Sequence, residues 1–290
     1  MRILFLFFFF SLNYGFVAAE GYHLSRSSHF NLQSNAPVAE LEKISTTLEE
    51  TCTAWSELFG GKVPANQRFS TIVFKDQKDF AAVIKSLKIN AKITPENAGY
   101  YSQSRKTTFS YLGSKYTWRT IRHETIHQMF AETRPANQKP VGMTSDCWLI
   151  EGVAMLFEFL NAEKKGGKTV YTLGGTSSAR LRGACYRRLV EGFYIPLEKF
   201  VTLGQKEFYK SKLLPKHYSQ AAGLSDFFFN GQKGKYRAEF VKLVGEVYAG
   251  KASSSELPKR LGKTFAQLDS EYLEYLEEMR EEILKKEAKP

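Results

Sequence analysis

Apolar and polar residues alternate in short stretches near the start of the chain, and apolar residues recur every three to four positions through most of the rest. Residues 28–34 (SHFNLQS), 69–75 (FSTIVFK), 99–103 (GYYSQ) and 106–112 (KTTFSYL) read as strands, the last two joined by Ser104 and Arg105. Pro37 opens a helix that runs to about Phe59 on Val38, Leu41, Ile44, Leu48, Ala54 and Leu58, and Gly60 with Gly61 ends it. Residues 78–87 form a second predicted helix. From residue 115 onward the pattern is almost wholly helical, over 115–133, 147–162, 178–192, 196–204, 216–230, 235–249 and 266–286. The last of these carries an apolar stripe of Leu268, Tyr272, Tyr275, Leu276 and Met279. The expected fold class is α+β: a small mixed sheet with helices over 20–114 and a mainly helical lobe over 115–290, together one domain, 20–290.

Composition adds a core and a compartment. With 290 residues and 43% hydrophobic content, the chain can bury one sizeable core. Its first segment has Arg2, then an apolar run over 3–10, then Val17, Ala18 and Ala19 before Glu20. That order predicts a signal peptide, 1–19, cut after Ala19, and hence a secreted or periplasmic protein. Retention of this segment as an anchor is the one membrane contact the sequence suggests, although Ser11, Asn13 and Gly15 interrupt it. The formal charge of +11 comes from Lys and Arg spread along the chain with no basic stripe, so nucleic acid is not expected as a partner. An anionic cell-envelope polymer or an acidic substrate is compatible with it.

The chemistry is concentrated in residues 123–127, His-Glu-Thr-Ile-His. Imidazoles at i and i+4 lie one turn apart on the same face of a helix, where both can ligate one Zn²⁺, and Glu124 then stands beside the metal as a general base. Tyr116, Trp118, Ile121, Ile126 and Met129 are spaced for a packed helix, and Pro135 would end it. A catalytic zinc needs a third protein ligand and an open position. Glu151 is the strongest candidate, because 148–160 (WLIEGVAMLFEFL) is apolar nearly all round and should be buried. The alternative for Glu151 is an ion pair with Arg119, Arg122 or another cation. Small Gly152 and Ala154 would let this helix approach the histidine helix closely. Glu158 reads as an ordinary paired acid, and His217 is the next candidate ligand. Phe130 and Thr133 stand where a metzincin has its glycine and third histidine, which excludes that subclass.

HETIHQ followed by WLIEGVAMLFE resembles the gluzincin metallopeptidases, in particular a bacterial branch of the peptidase-MA-like families. Residues 196–203 (PLEKFVTL), 218–229 (YSQAAGLSDFFF) and 261–276 (LGKTFAQLDSEYLEYL) are similar to later segments of those proteins. The resemblance implies a zincin-like fold, a peptide or protein substrate, and zinc held by His123, His127 and Glu151. It implies a substrate strand laid along the sheet edge, a role for which 106–112 is well placed. The lack of a glutamate there favours an endopeptidase. Tyr218 is similar to a family tyrosine and would stabilise the oxyanion, with His217 as the alternative donor. The competing reading is a non-catalytic zinc-binding cell-envelope protein on a peptidase scaffold. With Cys52, Cys147 and Cys185 in an oxidising compartment, Cys147–Cys185 is the most plausible disulfide, against three separate buried thiols.

Overall fold

The structure is a computed structural model and describes residues 21–88, 98–134, 141–210 and 212–288. The predicted leader, 1–19, and Pro135 lie outside the described residues. The described residues form two compact units: one runs up to Cys52 and resumes over Val63–Gln128, and the other comprises Thr53–Lys62 and Met129 onward. The fold is mixed α+β, with its larger sheet in the first unit.

In the first unit, β1 (His23–Arg26), β2 (Phe30–Ser34), β3 (Phe69–Phe74), β4 (Gly99–Ser102) and β5 (Thr107–Tyr111) form a five-stranded sheet in the order β1-β2-β3-β5-β4. The pairs β2–β3 and β3–β5 are parallel, whereas β1–β2 and β4–β5 are antiparallel. Helix α1 (Val38–Phe59) buries Leu41, Ile44 and Leu48 and stops where Gly60 takes φ +65°. Its expected first apolar position, Val38, is 64% exposed, so the buried stripe starts one turn later. Helix α2 (Gln77–Ser86), capped by the Asp76 carboxylate, drives Phe80, Val83 and Ile84 against Ile72, Phe74, Phe109 and Tyr111.

Helix α3 (Thr117–Thr133) belongs to this unit as far as Gln128. Thr117, Ile121, Thr125 and Gln128 are buried at three- and four-residue spacing. The Gln128 amide nitrogen donates to the Ser70 carbonyl at 3.0 Å and the Lys106 carbonyl at 3.3 Å, tying the helix to β3 and to the residue before β5. Tyr116 and Trp118 are half-buried rather than core, and the Lys43 ammonium lies 4.2 Å from the Trp118 ring centre.

In the second unit, α4 (Cys147–Phe157) packs on α8 (Leu214–Gly234). A Cβ on Gly152 would overlap Ser225 Oγ and stand 2.7 Å from the Ala221 carbonyl oxygen. Gly152 therefore serves the seam between α4 and α8, and not an approach to the histidine helix as its sequence position suggested. Aromatic residues fill this unit: Trp148 lies 6.4 Å from Phe200 and 6.2 Å from Phe228, and Phe59 stacks on Phe229 at 5.6 Å. Helix α11 (Phe265–Glu287), opened by a capping box of Thr264 and Gln267, buries Leu268, Tyr272, Tyr275 and Leu276 as its stripe predicts.

Local chemistry explains the differences from the sequence reading of this part. The helix expected to reach 162 ends at Phe157, and β6 (Asn161–Lys165) and β7 (Lys168–Thr172) form a two-stranded hairpin. Gly166 and Gly167, at φ +57° and +78°, are the two-residue turn that joins them. The helix expected over 178–192 is α5 (Ala179–Cys185) followed by one wide turn, Tyr186–Val190, closed by Glu191 N–H donating to the Tyr186 carbonyl. The segment 196–204 contains only α6 (Leu197–Phe200), and the next short helix, α7 (Gln205–Phe208), was not predicted. After α9 (Arg237–Tyr248), the short α10 (Leu257–Leu261) was also unforeseen. Among the described residues, no helix is long and apolar enough to cross a membrane.

Candidate metal centre

Helix α3 sets the two histidines one turn apart, as their spacing predicts. Their Nε2 atoms lie 3.0 Å apart, with ring centres at 4.7 Å and planes at 81°. Two nitrogens each about 2.05 Å from a tetrahedral zinc stand roughly 3.3 Å apart, so the rings converge as a chelating pair does. Between them in sequence, Glu124 is held on the sheet side: its Oε2 accepts the Tyr101 backbone N–H at 2.8 Å. This approach needs the glycine of β4, since a Cβ on Gly99 would come within 2.6 Å of Thr120 Cγ2 and 3.0 Å of Glu124 Cγ.

That contact corrects the expected edge. Residues 107–111 are an interior strand, paired with β3 on one side and β4 on the other. β5 pairs in parallel with β3, so its hairpin partner β4 takes the outer position, and β4 is the strand beside Glu124.

Glu151 lies on α4 and is 5% exposed. A ligand atom of His123, one of His127 and one of Glu151 all lie within 4.8 Å of one another. Two imidazoles and a carboxylate so close together can hold a metal ion, and this is the set a borderline cation such as zinc accepts. The histidine pair is part-buried. Tyr209 donates its hydroxyl to Glu151 Oε1 at 2.5 Å. Burial, and then the Glu151 charge, hold the Tyr209 phenol well above its usual range, so it keeps the proton it donates.

The other sequence candidates separate. His217 is 2% exposed, lies 5.3 Å from the Phe208 ring, and has Nδ1 2.6 Å from the Phe208 carbonyl, an arrangement in which the ring N–H donates. It is a core clamp within the second unit rather than a ligand or oxyanion donor. Tyr218 is half-buried, with its ring 5.6 Å from Phe208 and 6.4 Å from Tyr209, and with the Arg180 guanidinium 5.8 Å from its centre. Glu158 takes two 2.9 Å bonds from Arg180, the ordinary ion pair expected of it. Cys147 and Cys185 do not form the expected disulfide; all three cysteines are free and buried. Cys185 points its thiol at the Leu276 carbonyl of α11, 3.5 Å away. Burial, followed by the Asp226 charge, pushes Cys185 up to about 11, and burial, followed by the Glu49 charge, pushes Cys52 up to about 12. Such thiols stay protonated and unreactive.

Sequence reasoning missed Tyr209, because its partner is 58 positions away and nothing local in GQKEFYKS marks it. No family model, curated protein or solved structure matches the chain.

Proposed function

We propose that the protein is an extracytoplasmic zinc-dependent peptidase of the gluzincin type, which hydrolyses peptide bonds in peptide or protein substrates. One observation carries this reading: His123, His127 and Glu151 converge, and the residue between the histidines is a carboxylate fixed against the edge strand of the sheet. Zinc, when bound, would supply Lewis acidity that activates water and polarises the scissile carbonyl. Glu124 accepts the proton of the attacking water and delivers it to the departing amine nitrogen. The Tyr101 N–H bond fixes the direction from which that carboxylate works. Edge strand β4 supports backbone pairing with an extended substrate, since its outer N–H and C=O groups have no strand neighbour within the sheet. Tyr218 is assigned as oxyanion donor, a role supported by its ring lying beside Tyr209, the residue that holds Glu151. The secreted location rests on the leader-like pattern of residues 1–19.

A library of unstructured peptides, incubated with the purified chain with and without chelator, tests this. Cleavage that stops with chelator and returns with zinc is expected. A zinc-loaded chain that cuts no peptide, or cleavage indifferent to chelator, would overturn the reading.

A further inference from the structure

The Tyr209–Glu151 bond sits at the end of a continuous support. Four residues at and just before the start of α4 are bound to the segment that carries Tyr209: Asp146 N–H donates to Val201 O at 3.1 Å and Cys147 N–H to Leu203 O at 3.3 Å, while Gln205 N–H donates to Gly142 O at 2.8 Å and Met143 O at 3.2 Å. Gly204 makes this pairing possible, because a Cβ there would overlap Met143 O and lie 2.8 Å from Thr144 Cα. The segment then runs through α7 to Phe208, fully buried, whose carbonyl is held by His217. The next residue is Tyr209, and its hydroxyl reaches Glu151. The start of α4 and the tyrosine that grips its carboxylate are thus one backbone-bonded assembly within the second unit.

From this geometry we infer that Tyr209 is a positioning residue for Glu151: its hydroxyl fixes one carboxylate oxygen and so sets the rotamer in which the other oxygen is presented to a metal. The inference rests on the metal-site reading above. Within it, His217 acts one step back by holding the Phe208 carbonyl and with it the backbone of Tyr209. A carboxylate anchored through one oxygen loses less freedom on ligation, and it favours single-oxygen coordination, which leaves room at the metal for substrate. Substituting a group that orients a metal ligand typically costs about 10- to 100-fold in metal affinity.

The test is zinc affinity by chelator competition on the full chain, with the visible spectrum of the cobalt-substituted protein as a second readout. Tyr209→Phe removes one hydroxyl and keeps the ring against Phe208 and Tyr218. It should weaken zinc about 10- to 100-fold and alter the cobalt spectrum, with little change in the thermal midpoint of the metal-free protein. His217→Asn leaves Tyr209 and Glu151 intact and should weaken zinc in the same direction by a smaller factor, giving an independent arm if Tyr209→Phe does not fold. Zinc affinity and cobalt spectrum unchanged in Tyr209→Phe, with wild type binding tightly, would overturn the positioning role alone. A wild-type chain that binds no zinc would overturn the metal site and this inference with it.

Discussion

Helices α3 and α4 carry the candidate ligands by opposite means. Helix α3 is polar along much of its length, and its chemistry is local: two histidines and a glutamate within five residues meet because a helix repeats every 3.6 residues. Helix α4 buries ten of its eleven residues and contributes a single carboxylate, whose placement depends on partners far away in sequence. Asp146, just before α4, accepts from Ser254 N–H at 2.7 Å and Ser254 Oγ at 2.5 Å, and Trp148 donates to that same hydroxyl at 2.9 Å. Gly152 seats the helix on α8 and Tyr209 grips the glutamate. A metal-binding pair can therefore be written into one helical turn, whereas its third member needs a whole packed unit behind it.

The comparison breaks most sharply at Glu124. Glu124→Gln keeps the size of the side chain but removes the proton acceptor, so turnover should fall by about 10²- to 10⁴-fold with zinc stoichiometry and thermal midpoint retained. Comparing kcat with bound zinc in the same preparation checks it, and wild-type turnover in the variant would remove Glu124 from the mechanism.

Gly152→Val probes the tertiary side. The new side chain must displace Ser225 or the Ala221 carbonyl, and a loss of about 3 kcal/mol or more is expected in urea unfolding. Unchanged stability would mean that α4 and α8 are not packed as described.

What could be read from the sequence follows the same division. The HExxH segment, the α1 stop at Gly60 and the α11 stripe were legible because periodicity and capping are local. Glu151 was legible as well, because a charge in an apolar helix demands a partner. Tyr209, the role of His217 and the target of Gly152 were not, since each is defined by a residue on another element. The edge strand was misplaced for a related reason: strand order within the β4–β5 hairpin depends on which member pairs with β3, and both segments alternate equally well.

Asp146→Ala should cost about 2 kcal/mol. It strips the acceptor from the buried Ser254 N–H and leaves alanine at φ +64°, a conformation aspartate tolerates better. Its effect on zinc affinity should exceed its effect on unit one, which hydrogen exchange can follow separately.

The smallest effect is expected in the first unit. Burial works to raise the Glu49 carboxyl, but bonds from Ser27, the His29 ring and the His29 backbone N–H outweigh it and hold the pKa below its usual 4.5. The folded pKa is depressed, so this contribution is present above the unfolded value and is lost as pH falls through the folded one. Glu49→Gln should cost about 1 kcal/mol at neutral pH, with the difference from wild type shrinking below pH 4.5. A difference independent of pH would show that packing, not the ionised bond, accounts for it.

The central claim is that residues from these two dissimilar helices hold one metal ion together. Its most direct test is metal analysis of the purified wild type beside His123→Ala, His127→Ala and Glu151→Ala, each equilibrated with excess zinc and desalted. The account predicts one zinc per wild-type chain and a sharp loss in all three variants. Full occupancy in any one of them, or none in the wild type, would contradict it.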